Sequence, residues 1–426
     1  MHASFNERER TAALWLGWWR TGVTRLLLLW EHPAWAALLA MLAYGLIAAR
    51  RGSVVRLTKY PYFNYLADAF LHGQLYLRLR PELTRDLSLF DGQLYLYWPP
   101  FPAVVLMPFV ALFGIRMSDV LATLALGGLN VALVALLLRR AVERKVIAVS
   151  PLQRALLVLF FALGTVHATL APYGMVWFVG QLVGFACVAC AYLAALSLRR
   201  APAFLLAGVG IGAALLTRNH LALAGLWPAW YLLYEHRSDG WRRLGHYVAV
   251  GIAPVVLAVL LLAAYNWLRF GSPFDNGLAY HRMADIFVRD YQRYGAFSLH
   301  YLRTNLFYQF VAYPLPFRPN STYGGSLFLL SPAFFGAVWA VVRASRLIST
   351  WVLATTVLLV AIPILLLMGT GWVQWGPRYT LDYTVPLLLL TAIGIRRWPL
   401  WLLCVLTAVS IIHYIVGALY LGKFVM

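Results

Sequence analysis

Long apolar stretches recur from one end of this chain to the other, and arginine or lysine closes them in alternation. No soluble core absorbs that much apolar surface: hydrophobic residues make up 62% of the 426, charged residues only 12%, and the mean hydropathy is +0.73. Such runs belong in hydrocarbon. There every backbone N–H and C=O must be bonded within the protein, which leaves helices or closed barrels, and these runs lack the alternation of a barrel strand. The expected fold is an all-α polytopic integral membrane protein with about eleven transmembrane helices, in a range of roughly 10–13.

The runs fall at residues 33–49, 120–138, 155–170, 175–198, 204–216, 221–234, 247–265, 327–342, 350–368, 385–395 and 398–420. The fifth, sixth and tenth are short for a bilayer and read as broken or re-entrant. With the N-terminus in the cytoplasm, the inner connections carry Arg139, Arg140, Arg144 and Lys145, then Arg199 and Arg200, then Arg237, Arg242 and Arg243, then Arg343 and Arg346, then Arg396 and Arg397. This is the positive-inside pattern, and it explains a formal charge of +20 without any nucleic-acid partner. The acids fall the other way: Asp68, Glu82, Asp86, Asp91, Asp119, Asp275, Asp285, Asp290 and Asp382 lie outside. Cys187, Cys190 and Cys404 sit inside apolar runs, where they pack as small hydrophobes and offer no disulfide framework. No cleavable signal peptide is evident, and residues 1–32 read as a cytoplasmic and interfacial amphipathic segment ahead of one transmembrane unit, 33–426.

Three outer segments break the apolar pattern: 50–116, 266–325 and 369–384. The first gathers Asp68, Glu82, Asp86 and Asp91, in a chain with only 15 Asp and Glu. Its apolar run 99–113 cannot be a full span, because the following arginine pairs would then lie outside; it reads as a surface helix led by Pro99, Pro100 and Pro102. The segment is therefore expected to be a unit of juxtamembrane helices holding the active site.

The candidate catalytic residues are Asp86, Asp91 and Asp68, since a carboxylate at a low-dielectric membrane edge suits a general base. Against this, Asp86 could cap a turn, Asp91-Gly92 could be a plain turn dipeptide, and Asp68 could pair with an arginine. The candidate substrate-binding residues are Arg378, Tyr379, Arg218, His220, Trp375 and Gln374. A guanidinium grips a lipid phosphate bidentately and aromatic rings stack on sugar or prenyl chains. The plain alternative for both arginines is snorkelling at a helix end. No zinc pattern, phosphate loop or nucleic-acid module is present.

Tyr62-Phe-Asn-Tyr-Leu-Ala-Asp68-Ala-Phe-Leu-His-Gly73, the Asp-Gly and Trp-Pro-Pro-Phe-Pro run that follows, and a helix ending Leu-Phe-Gly114 resemble the first outer loop of GT-C glycosyltransferases. The likeness is to the bacterial protein-mannosyltransferase-like group. Leu216-Thr-Arg218, Asn266-Trp-Leu-Arg-Phe-Gly-Ser-Pro273 and Trp375-Gly-Pro-Arg378-Tyr379 are similar to later signposts of that group. The resemblance implies a GT-C-like fold in a bacterial inner membrane and an inverting transfer of sugar from a polyprenyl-phosphate carrier to a lipid, glycan or protein acceptor on the outer face. It requires no cofactor, although a divalent cation could assist. One departure matters: where many relatives carry an acidic pair, this chain has Lys59-Tyr60. Either the base has moved to Asp86 or Asp91, or the chain is an inactive homologue. The competing class is a lipid-linked glycan flippase or transporter, which predicts internal repeats and charges within spans.

Overall fold

The computed structural model describes residues 22–50, 52, 54–369 and 371–423. Its helices of nine or more residues are α1 Pro33–Ala49, α2 Tyr62–Leu71, α3 Phe101–Phe113, α4 Asp119–Glu143, α5 Pro151–Leu163, α6 Val176–Ser197, α7 Arg200–Leu215, α8 Leu226–Glu235, α9 Trp241–Phe270, α10 Asp285–Tyr294, α11 Phe335–Arg343, α12 Ile348–Leu366, α13 Thr384–Gly394 and α14 Leu400–Leu421. Local chemistry marks several starts. Ser118 accepts the Leu121 N–H, Ser150 and Gln153 form a reciprocal capping box, and Pro33 and Pro151 occupy first turns, where a missing N–H costs nothing.

All eleven apolar runs lie on helical chain, yet fewer are long enough to cross alone. Among the described residues, six stretches qualify: α4, Pro151–Leu170, α6, α9, α12 and α14. Helix Gly22–Glu31 and α1 qualify only as a pair, and they are bent 99° to one another, giving seven. The other runs are shorter or interrupted. The α7 helix has 16 residues, α13 has 11, and α8 has 10 behind the 3₁₀ stretch Asn219–Gly225. At about 1.5 Å per residue, 16 residues rise roughly 24 Å against a hydrocarbon core of about 30 Å. Apolar content located the runs, and breaks in the helical ladder shortened them. Of the N-terminal segment, residues 1–21 lie outside the described residues.

Hydrogen bonds sort the helix ends onto two faces. At the arginine-rich face, Arg144 Nε donates to Leu196 O at 2.7 Å, the Arg200 N–H to His236 Nε2 at 2.9 Å, and Gln153 Nε2 to Ile395 O at 3.3 Å. At the opposite face the Val176 N–H reaches Tyr60 O at 2.9 Å, Phe101 N–H reaches Leu216 O at 3.0 Å, and Ser298 N–H reaches Leu366 O at 2.9 Å. Both ends of α3 belong to this second face. Its first N–H bonds the end of α7, and Ser118 just beyond it donates to Val54 O at 2.8 Å. The helix thus lies along the face, packed on α2, with Leu112 and Phe113 largely exposed.

The first outer segment also contains a β-hairpin that the apolar pattern did not announce. Strands β1 Ser88–Phe90 and β2 Gln93–Tyr95 pair antiparallel, Phe90 opposite Gln93. Asp91 and Gly92 form the two-residue loop with φ of 48° and 75°, the doubly positive geometry that Asp-Gly favours.

Glycine sets the closest helix contacts. A Cβ on Gly208 of α7 would stand 2.0 Å from Gly251 O of α9, and one on Gly394 of α13 would stand 1.8 Å from Gly336 O of α11. Without a hydrophobic force between helices in lipid, such close backbone approach supplies the packing attraction. Gly208→Val is expected to cost about 3 kcal/mol by overpacking. Thermal melts of detergent-solubilised protein should show a clear fall in Tm, and an unchanged Tm would contradict this contact.

Candidate functional site

Tyr62, buried on α2, begins the construction. Its hydroxyl lies 2.8 Å from both the Leu83 and the Arg85 carbonyl oxygens, pinning the chain just ahead of Asp86. Asp86 itself has φ 64°, a strained region for a residue with a side chain. Partners from a remote segment hold it there. The Asp86 N–H donates to Arg282 O at 2.9 Å, the Arg282 N–H returns to Leu87 O at 2.8 Å, and Ser88 Oγ donates to Gly277 O at 2.7 Å. The same pairing sets His281 Nε2 at 3.2 Å from Asp86 Oδ1. His281 Nδ1 is buried with no hydrogen-bond partner among the described residues, so the proton is assigned to Nε2, which donates to the carboxylate.

Asp86 faces a cavity of about 550 Å³ built where the three outer segments meet. Among its described lining residues Asp86 is the sole carboxylate, against the cations Lys59, Arg85, Arg218 and Arg378. Phe63, Met175, Trp177, Phe287 and Trp372 contribute apolar wall, with Phe287 and Trp372 edge to face at 6.4 Å. Tyr97 also lines the cavity; burial first, and the Asp86 charge second, push its hydroxyl well above the ordinary value, so it stays a hydrogen-bond donor.

The two arginines meet at one ring. Arg378 Cζ lies 4.4 Å and Arg218 Cζ 5.2 Å from the Tyr379 centroid, and Arg378 Nη2 donates to the Tyr379 hydroxyl at 3.0 Å. Arg378 is buried, held by Nη1 on Gln181 Oε1 at 3.2 Å. Behind Arg218 stands Asp382, fully buried, whose Oδ2 takes Arg218 Nη2 at 3.1 Å and His220 Nε2 at 2.9 Å. Burial opposes the Asp382 charge, but Arg218, His220 and Arg378 outweigh it and hold the carboxyl below its ordinary value. A second buried carboxylate, Asp119, anchors the wall: it accepts the Thr58 and Met175 N–H groups at 3.0 and 2.9 Å and the Thr58 hydroxyl. Next to these anchors Lys59, Tyr60 and Met175 enter the cavity lining.

Of the sequence candidates, Asp86, Arg218, Arg378 and Tyr379 come together at this cavity. The others lie elsewhere. Asp68 pairs with Arg78 at 3.1 Å and approaches His72, and Asp91 is the exposed hairpin turn. His220 acts on Asp382 rather than on the cavity. Trp375 is wholly buried against Phe317, Tyr420 and the Gly417 backbone, and the Gln374 backbone and side-chain amides bond to Thr322 O and Tyr323 O, each at 2.8 Å. His281, Tyr97, Gln181 and Asp382 were not singled out from sequence. Asp382 carried a local signal, four residues after Arg378; His281 lies 195 positions from Asp86 and carried none. No group of three or more His, Cys, Asp or Glu side chains suited to a metal occurs among the described residues.

No protein-family model matches the chain, and no curated protein matches it. Among solved structures it is similar to ArnT from Cupriavidus metallidurans bound to undecaprenyl phosphate, at 17% identity and a TM-score of 0.48 over 85% of this chain and 60% of that chain. The apo state of the same protein gives 16% identity, the same TM-score and the same coverage. The chain thus spans about 60% of the length of the structure it matches.

Because the Asp382 carboxyl is held below its ordinary value, its charge contributes stability above pH about 4 that is lost as pH falls through the folded value. Asp382→Asn should melt below the wild type at pH 7, and the gap should narrow as pH drops below about 4. A gap independent of pH would refute the buried ion pair. Separately, Tyr62→Phe should speed amide exchange across residues 83–88 while leaving α4 and α6 unchanged, read by hydrogen–deuterium exchange; equal protection in both proteins would show that the hydroxyl does not hold this loop.

Proposed function

We propose that this protein is an inverting membrane glycosyltransferase of the GT-C type, transferring a sugar from a polyprenyl-phosphate carrier to an acceptor hydroxyl. The observation that carries the reading is one carboxylate, Asp86, sharing a partly apolar cavity with Arg218 and Arg378 around Tyr379. That set matches what the reaction needs: a base, anion-binding donors and an apolar wall for the prenyl chain.

Asp86 takes the proton of the acceptor hydroxyl, and the acceptor oxygen forms a bond to the anomeric carbon from the face opposite the phosphate. The bond from that carbon to the phosphate oxygen breaks, and polyprenyl phosphate leaves with the electron pair. Arg218 and Arg378 stabilise the charge that grows on the leaving oxygen, as fixed donors in a low-dielectric site do. No acid is needed on the leaving side, since a phosphate departs as a stable anion. His281 orients Asp86 through its Nε2 proton and thereby fixes which carboxylate oxygen faces the acceptor.

Lys59 and Tyr60 line the same cavity, so at the place where the resemblance puts an acidic pair this chain presents a cation and a ring, and Asp86 takes over as base. Residues 33–426 act as one unit, the arginine-rich face lies in the cytoplasm, and the cavity serves the outer side of a bacterial plasma membrane. The motifs of the chain support a chemistry like that of the mannosyltransferase-like group.

Purified full-length protein in liposomes, supplied with a panel of labelled polyprenyl-phosphate sugars and acceptors, should release polyprenyl phosphate. Asp86→Asn should lower kcat by about 10²–10⁴-fold and Arg378→Ala by about 10²–10³-fold, while Asp91→Asn stays within about twofold. Full transfer by Asp86→Asn would overturn the assignment. Translocation of the donor with its sugar–phosphate bond intact would favour a flippase.

A further inference from the structure

A second cavity, of about 440 Å³, lies at the arginine-rich face, where α4, α6, α7 and α8 end or begin. It collects Arg144, Arg199 and Arg200 on one hand and Glu235 and Asp239 on the other. Opposite charges that share so small a space normally pair. Here, among the described residues, none of these five side chains forms an ion pair within 4.0 Å.

The Arg144 side chain and the Arg200 backbone are fixed by bonds that involve no acid, while the Arg199 and Arg200 side chains are exposed. Arg144 spends only its Nε, on Leu196 O at 2.7 Å. Arg200 adopts φ 57°, which is costly for a residue with a Cβ, and its N–H is captured by Nε2 of His236 at 2.9 Å. His236 is buried, lies 3.0 Å by Nδ1 from Leu232 O, and is flanked by Phe204 and Tyr247 with ring centroids at 5.8 Å each. Its Nε2 takes the Arg200 N–H and its Nδ1 faces the Leu232 carbonyl, so the ring sets the backbone from which two successive arginines project. Leu198 and Leu232 line the same cavity, giving it apolar wall at the end of the spanning helices.

We propose that this cavity binds the headgroup of a phospholipid whose phosphate is followed by an ammonium, a phosphoethanolamine. The phosphate sits on the guanidiniums of Arg144, Arg199 and Arg200, which match its oxygens bidentately. The ammonium donates to Glu235 and Asp239, and so bridges charges that the protein keeps apart. The apolar wall and the position at helix ends favour the lipid over a soluble phosphoethanolamine, since a lipid's acyl chains are already delivered there by the bilayer. The site is on the face opposite the Asp86 cavity and is independent of the chemistry assigned there.

The test is native mass spectrometry of the full-length protein released from nanodiscs of equal phosphatidylethanolamine, phosphatidylcholine and phosphatidylglycerol. Retained phosphatidylethanolamine should exceed phosphatidylcholine by roughly tenfold, about the value of one charge-assisted hydrogen bond. Arg199→Gln with Arg200→Gln should abolish the enrichment. Glu235→Gln with Asp239→Asn should bring phosphatidylethanolamine and phosphatidylcholine level while total retained phospholipid persists. The second pair leaves the His236 anchor intact, so it remains informative if the arginine variant melts below the wild type. Equal retention of the three lipids by the wild type overturns the proposal, as does enrichment that survives the arginine changes. Preferential phosphatidylglycerol overturns the ammonium half, and a Tm rise with O-phosphoethanolamine alone that equals the lipid's overturns the lipid source.

Discussion

Hydrocarbon offers a backbone no hydrogen-bond partner, and this constraint organises the protein. Irregular chain gathers at the helix ends and at a few breaks within the apolar runs, where it must find its own partners. On the face opposite the arginine pairs three such stretches meet, and they bond one another: Asp86 to Arg282, Arg282 to Leu87, Met368 to Ala296, Gln374 to Thr322. The Asp86 cavity exists because these loops satisfy their amides by crossing over one another rather than by folding back alone. The positive φ values of Asp86, Met175 and Val373 are where the chain turns to make those crossings, and residues at those positions line the cavity. Strain of a few kcal/mol at such points persists only because the surrounding bonds over-determine it.

Charge is handled differently at the two faces. At the arginine-rich face most cations stay exposed and snorkel, which costs little. At the loop face two arginines are drawn inward, and each is compensated. Arg218 is balanced by a fully buried Asp382, and Arg378 keeps its charge against the neutral Gln181 amide and the Tyr379 ring and hydroxyl. Arg218 touches the Asp382 carboxylate directly and Arg378 acts on it only from further away, so the two guanidiniums at the cavity are unequally compensated. Under the transfer proposed above, in which polyprenyl phosphate leaves after each turnover, that balance would be functional as well as structural.

Much was legible in the linear chain. The eleven apolar runs coincide with helical chain, the proline-led run 99–113 proved to be α3 with both ends on one face, and the arginine pairs share the other. Four of nine site candidates reach the cavity. Local chemistry accounts for where several of the others lie. Asp91 was drawn into a two-residue hairpin loop by the glycine after it, and Asp68 was neutralised by an arginine ten residues on. Trp375, aromatic and beside Arg378, looked suited to stacking on a ligand, but the side chain fills the space over Gly417 that no larger residue would leave. The span count from runs exceeded the count by helix length, because hydropathy averages over breaks that interrupt a helix without making it polar.

Sequence alone determined what depends on composition and short-range order: that the chain is helical and resides in a membrane, where its helices lie, which ends share a face, and that acids and arginines gather opposite the positive pairs. These follow because hydrophobic transfer and interfacial charge act residue by residue. Only the tertiary structure decided which acid meets which arginine. Asp86 finds His281 across 195 positions and Asp382 finds His220 across 162, and no local preference encodes contacts at that range. They are set by how α6, α7 and α9 pack and where their ends deliver the loops, which is a property of the whole fold and of no segment of it.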